Sequence, residues 1–195
     1  MIFTFSILHY KTLQDTVECI ESIKSLNYSC EIVVVDNGSN NGSFEELKDK
    51  YKKSNIVFID NDNNLGFAAA NNIGYKYAKE NLNSDFIAVI NNDIIVKSKD
   101  IIEILIKKWE KDSYYIAGPN IIGLDGVSHQ NTMDIIRYKK EQLLYKSFQH
   151  MVAFCLSKIG FYNLLNSYSQ SQVSENNSWM EEKRNPQLQG SFIIY

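Results

Sequence analysis

The sequence predicts an α/β domain in which a mostly parallel sheet is flanked by helices, and three observations carry this reading. The apolar β-branched run Val33-Val34-Val35 ends abruptly in Asp36-Asn37-Gly38-Ser39. Such a run reads as a buried parallel strand that delivers a carboxylate to the C-terminal edge of a sheet, where open α/β sheets bind ligands. Two more strand ends repeat the arrangement. Residues 56–59 run into Asp60-Asn61-Asp62-Asn63-Asn64-Leu65-Gly66-Phe67, and residues 86–90 run into Asn91-Asn92-Asp93. Segments of helical period separate these strands, and that alternation implies right-handed crossovers and a parallel sheet.

Residues 2–8 form the expected first strand. Thr12-Leu13-Gln14-Asp15 then offers a capping-box-like start to a helix with Leu13, Val17, Ile20 and Ile23 on one face. Ser43-Phe44-Glu45-Glu46 is read as the cap of a second helix that turns Phe44, Leu47 and Tyr51 inward. Further helices are expected over residues 68–80 and 100–110, and a further strand over 114–119, ended by Pro119. Leu144, Phe148, Met151, Cys155, Ile159 and Tyr162 fall on one stripe, which predicts an amphipathic helix over residues 140–165. Residues 167–185 are polar and read as a mobile loop, and a final strand follows before Tyr195.

A chain of 195 residues suits one domain, or one domain with a small appended lobe. The formal charge of −3 argues against a nucleic-acid polymer as partner, because phosphate recognition normally needs a basic surface. A nucleotide held through a metal stays open. Cys19, Cys30 and Cys155 are odd in number and have no His cluster beside them, so neither a disulfide framework nor a zinc site is indicated. Free thiols in a reducing cytoplasm are the plain reading. The first eight residues lack a basic segment, which disfavours a signal peptide, and no stretch is apolar for long enough to span a bilayer.

Three motifs stand in a telling order: Asp36-Asn37-Gly38-Ser39, then Asn64-Leu65-Gly66-Phe67-Ala68-Ala69-Ala70-Asn71-Asn72-Ile73-Gly74, then Asn91-Asn92-Asp93. Together they resemble family 2 glycosyltransferases of the GT-A (Rossmann-like) fold, notably bacterial enzymes that add rhamnose or related sugars to surface polysaccharides. The likeness covers residues 2–119 and resumes near Gly190. It implies a nucleotide-sugar-binding half at 1–119 and the start of an acceptor-side region at 120–195. It also implies a donor that is a nucleotide diphosphate sugar, UDP- or dTDP-linked, a saccharide or lipid-linked acceptor, and Mg²⁺ or Mn²⁺ as cofactor.

Asp93 is the metal-ligand candidate, since a cation bridging two phosphates takes only one or two protein carboxylates. The resemblance makes it the close of an Asp-x-Asp-like motif whose first member is here Asn91, which keeps hydrogen-bonding capacity without charge. Asp93 as a mere turn cap is the competing reading. Asp36 is an acceptor-only group suited to a base N3–H or a ribose hydroxyl, and an Asx turn with Asn37 and Gly38 explains it equally well. Gly66, Phe67 and the alanines open a helix whose free N–H groups suit a phosphate or sugar, with Asn71 as a polar partner; close packing on the sheet is the alternative. Asn64 and Asn92 complete the donor-binding set implied by the resemblance. Ser6, His9 and Tyr10 rank lower, and a lone His9 is more often a satisfied structural histidine.

The implied chemistry is glycosyl transfer, with an acceptor hydroxyl attacking the anomeric carbon and a carboxylate base taking its proton. In the family that base follows the segment matched by Gln189-Gly190-Ser191-Phe192-Ile193-Ile194-Tyr195, so the chain is expected to be truncated before it and impaired in turnover. The cut edge is expected to expose apolar surface at residues 192–195 and to favour a homo-oligomer. The stripe of residues 144–162, with Lys146 and Lys158, suits either packing on its own domain or peripheral contact of a cytoplasmic protein with the inner membrane. Two rival enzymes are disfavoured: no Gly-rich basic loop of a nucleotidyltransferase and no G-x-G-x-x-G of a dinucleotide oxidoreductase follows the first strand. A non-catalytic nucleotide-sugar-binding or assembly module is the alternative from another class.

Overall fold

The computed structural model describes residues 1–123, 126, 132–133, 187–188 and 192–195. Its order is β1 (Phe3–His9), α1 (Leu13–Lys24), β2 (Glu31–Asp36), α2 (Ser43–Lys50), β3 (Val57–Ile59), α3 (Phe67–Asn81), β4 (Phe86–Asn91) and α4 (Ile101–Asp112). Three short strands follow, β5 (Thr132–Met133), β6 (Gln187–Leu188) and β7 (Phe192–Ile194). Five strands make one sheet in the order β3-β2-β1-β4-β7, and β5 and β6 make a separate two-stranded sheet. The pairs β1–β2, β1–β4 and β2–β3 are parallel and β4–β7 is antiparallel. One compact unit comprises residues 1–131 and 188–195, and a second comprises 132–187.

Alternation along the strands explains how this sheet is covered. Phe3, Phe5 and Ile7 of β1 and Ile32 and Val34 of β2 pack with Cys19, Ile20 and Ile23 of α1, Phe44 and Leu47 of α2 and Ile102 of α4. Leu8, Val33 and Val35 point the other way, onto Ala70 and Ile73 of α3. Burial of each large side chain in these clusters stabilises the fold by about 1.5–3 kcal/mol. Gly74 lets α3 sit close on the sheet, because a Cβ there would lie 2.0 Å from the Ser6 hydroxyl and 2.9 Å from a Val35 methyl.

Four sequence expectations change in detail. Thr12 stands at the N-cap of α1 but makes no side-chain cap bond, because its hydroxyl accepts from Asn92 Nδ2 at 2.7 Å instead. Ser43 is the first residue of α2 rather than its cap; it is buried, and its backbone N–H donates to Asn41 Oδ1 at 3.2 Å. Residues 114–119 contribute one antiparallel bridge, Ala117 to Ile194, rather than a strand, with Tyr115 and Ile116 turned to solvent. Phe192 and Ile194 are buried in the core cluster, Phe192 against the Phe5 ring, so the expected apolar exposure at this edge reduces to the half-buried Ile193 and to Tyr195, 41% accessible. The expected amphipathic helix over 140–165 and the loop over 167–185 lie outside the described residues.

Candidate functional site

The strand ends of β1, β2 and β4 lie side by side, because His9 pairs with Asp36 and Leu8 with Asn91. Parallel pairing therefore gathers the polar tips of the sequence at one edge, which is where an open α/β sheet forms its crevice.

The β2 tip is a tightly bonded turn. Asp36 is almost fully buried and accepts from the Ser39 backbone N–H at 2.9 Å and from the Ser39 hydroxyl in a very short contact. These bonds run three residues on, to Ser39, and not to the Gly38 N–H that an Asx turn uses. Gly38, at φ +71°, instead makes room, since a Cβ there would lie 2.5 Å from the backbone carbon of Asn63 and 2.6 Å from the nitrogen of Asn64. Its missing side chain lets the β3–α3 loop close over the β2 tip. Asn37 fastens that closure, accepting from Leu65 N–H at 2.9 Å and donating to Asn64 Oδ1 at 3.2 Å. Asn64 Oδ1 also accepts from Gly66 N–H at 2.9 Å, which sets the entry to α3.

Tyr10 is exposed at the β1 tip, with the Lys11 ammonium 4.8 Å from its ring centroid. Lys11 and Asn64 beside its hydroxyl hold Tyr10 below the ordinary phenol range. Ser6 lies mid-strand against Gly74 and does not reach the edge. His9 is fully buried, bonded through Nδ1 to Thr16 Oγ1 at 2.7 Å and through Nε2 to Ser43 Oγ at 2.8 Å. Burial holds its pKa below the usual imidazole value, opposed by the Asp36 and Glu45 charges. Asn92 turns toward α1, donating to Thr12 and to Thr16 Oγ1, whereas Asp93 is exposed just past β4.

Beside these tips a cavity of about 440 Å³ lies between α3, β4 and β7, lined by Phe67, Ala68, Asn71, Tyr75, Ile193 and Tyr195 among others. Its aromatic walls include the edge-to-face pair Tyr75–Tyr195. Asn71 is only 8% accessible and its Oδ1 has no hydrogen-bond partner. A buried amide oxygen without a donor is costly, so it suits a ligand hydroxyl or N–H.

Among the described residues no three His, Cys, Asp or Glu side chains gather as a metal cage. The exposed Asp93 fits a different donor set, a single carboxylate on a cation whose other positions are filled by diphosphate oxygens and water. Sequence reasoning missed Asn37, Ser39 and Lys11 as organisers of the edge. The Asp-Asn-Gly-Ser turn held a signal for the first two, but the loop that closes on Gly38 is remote in sequence.

The mostly parallel sheet with Asp- and Asn-rich strand tips makes this an open-sheet α/β protein, and comparison with known proteins gives its family. The Glycosyl transferase family 2 model matches residues 6–166, and the chain belongs to that family. It is similar to the low-salt glycan biosynthesis hexosyltransferase Agl10 of Haloferax volcanii, with 31% identity over 121 residues, 62% of this chain and 37% of that one. Among solved structures it resembles S. aureus TarS in complex with UDP-GlcNAc, at a TM-score of 0.58 and 18% identity, covering 69% of this chain and 38% of that one. It also resembles the mannosyltransferase PcManGT from Pyrobaculum calidifontis in complex with GDP-Man and Mn²⁺, at 0.53 and 16%, covering 62% and 35%. These likenesses establish the GT-A fold. The chain spans under two fifths of the length of the curated relatives it matches.

Proposed function

We propose that this chain holds a nucleotide diphosphate sugar at the C-terminal edge of its sheet and serves transfer of the sugar to a saccharide or lipid-linked hydroxyl in cell-surface polysaccharide synthesis. The observation that carries the reading is the convergence of Tyr10, Asp36, Asn64, Gly66 and Asp93 on one edge next to a cavity with an unpaired amide oxygen. Tyr10 offers a ring face for the base, and Asp36 an acceptor for its N3–H or for ribose. Asp93 is the carboxylate for Mg²⁺ or Mn²⁺, with Asn91 beside it. Phe67 and Asn71 face the sugar from the first turns of α3. Bound there, the cation would supply charge neutralisation to the departing diphosphate. UDP or dTDP is the preferred nucleotide, since a pyrimidine N3–H is the donor that Asp36 complements.

Support for the ligand class comes from two relatives of the same fold, TarS with UDP-GlcNAc and PcManGT with GDP-Man and Mn²⁺. Calorimetric titration of UDP, dTDP and GDP with and without Mn²⁺ tests the proposal. Metal-dependent binding by the wild type, lost in Asp93→Ala and weakened in Asp36→Ala, is expected. Equal and metal-independent binding by wild type and Asp93→Ala would overturn the role given to Asp93, and undiminished binding by Asp36→Ala would overturn the nucleoside contact.

A further inference from the structure

His9 does not reach the edge, yet its surroundings are polar on both sides, and the protons in that cluster can be counted. The Thr16 hydroxyl lies 3.0 Å from the Thr12 carbonyl. It also accepts from Asn92 Nδ2 at 3.0 Å. Its shortest contact is the one to His9 Nδ1, at 2.7 Å. On the other side the Ser43 hydroxyl lies 2.8 Å from Nε2 and 2.6 Å from Asn41 Oδ1, and its one proton serves one of them. Asn41 Oδ1 can only accept, so the Ser43 proton lies on that shorter contact, Ser43 Oγ accepts from Nε2–H, and a neutral ring takes the Thr16 proton on Nδ1. Nε2 is 4.0 Å from Asp36 Oδ1, so in this tautomer it makes no ion pair with the carboxylate, which stays with Ser39.

We infer that His9 is a positioning residue: through Nδ1 and Thr16 it holds the Asn92 amide, and with it the β4 tip that carries Asp93, in register with the nucleoside-side tip at Asp36. The inference rests on the functional reading above for what those tips bind. Three elements meet on the ring. The Thr16 hydroxyl comes from α1, Ser43 and the stacked Phe44 ring, 6.0 Å away, from α2, and Asp36 from β2, with Glu45 the further charge that acts on it. The polar path then continues from Ser43 through Asn41, whose Nδ2 donates to the Lys11 carbonyl at 3.0 Å. Lys11 N–H donates to Ser39 Oγ at 2.8 Å, which closes the chain onto the Asp36 turn. Asn92 and Asp36 are thus joined through the side chains of Thr16, His9, Ser43, Asn41 and Ser39 and the backbone of Lys11.

Side-chain isosteres separate the two halves of the imidazole. In His9→Asn the amide oxygen replaces Nδ1 as acceptor from Thr16 and the Ser43 bond is lost. His9→Gln keeps a donor near the Nε2 position but loses the Thr16 bond, and Thr16→Val removes the relay while preserving shape. Mn²⁺-dependent UDP affinity, read by calorimetry, is expected to fall about 5- to 10-fold in His9→Gln and Thr16→Val, the equivalent of one buried hydrogen bond. His9→Asn retains most of the wild-type metal dependence. A structural role alone would penalise both histidine variants alike, so weakening of His9→Asn to the level of His9→Gln, or unchanged affinity in Thr16→Val, overturns the inference. Nitrogen-15 NMR of the imidazole, assigned by its disappearance in His9→Asn, reads the tautomer without any ligand; a protonated Nδ1 with a bare Nε2 also overturns it. A wild type that binds no nucleotide removes the functional reading and the positioning role together, whereas a wild type that binds with the variants unaffected removes the positioning role alone.

Discussion

Gly38→Ala is the substitution whose consequence the geometry fixes most closely. Two independent costs fall on it. The φ of +71° is one that an L side chain adopts at a penalty of about 1–2 kcal/mol. The new methyl would also stand 2.5–2.9 Å from three backbone atoms of Asn63 and Asn64. Backbone does not yield as a flexible side chain does, and overpacking of this kind costs about 1–3 kcal/mol more. Gly42 supplies the control, since at φ +81° it bears the first penalty but has nothing within 4 Å of the added carbon. Urea unfolding should therefore give a loss of about 1–2 kcal/mol for Gly42→Ala and about 2–5 kcal/mol for Gly38→Ala. The excess has a functional side, because moving the β3–α3 loop breaks the bonds of Asn37 to Asn64 and Leu65. Nucleotide binding is expected to weaken in Gly38→Ala and to persist in Gly42→Ala. Equal losses of stability in the two variants would refute the close approach of loop and turn.

Other outcomes follow from the same structure. Burial depresses the folded-state pKa of His9 below its unfolded value, so the neutral ring contributes stability that is full above about pH 6.5 and lost as pH falls through the folded value. Denaturation between pH 7 and 4 should show this slope, and His9→Asn should flatten it. Burial raises the Cys19 thiol to about 12 and the Cys30 thiol to about 11, so both should react slowly with an alkylating reagent at pH 8 in the folded chain and quickly in urea, as read by peptide mass mapping. Gly74→Ala should destabilise by about 1–3 kcal/mol through its clash with Ser6 and Val35, and Ser6→Gly should recover part of that loss in a double-mutant cycle.

The sheet was legible in the sequence because parallel strands buried on both faces read as short, nearly continuous apolar runs, and β2 and β4 are of this kind. The helices were legible from their spacing, with Ile20, Ile23, Phe44 and Leu47 buried as the pattern requires. What sequence could not give was which side chain answers which orphaned backbone group. Thr12 reads as a cap, yet Asn92, 80 residues away, takes its hydroxyl. Ser6 and His9 sit on the strand whose tip enters the edge, yet alternation and burial direct one to Gly74 and the other to Thr16 and Ser43. The expected strand over 114–119 failed for a similar reason, as pairing with β7 reaches Ala117 alone. That Asp36 closes β2 and Asp93 follows β4 was legible because each carboxylate comes at the end of an apolar run.

The central claim is that one sheet edge gathers nucleotide and metal between the β1, β2 and β4 tips. Paramagnetic broadening by Mn²⁺ in the presence of UDP tests it most directly, observed on the backbone amides of the labelled chain. Residues 91–94 are expected to broaden first, followed by residues 10–11, 36–39 and 64–67, and Asp93→Ala to abolish the pattern. Broadening centred on another face, or an identical pattern in Asp93→Ala, would contradict it.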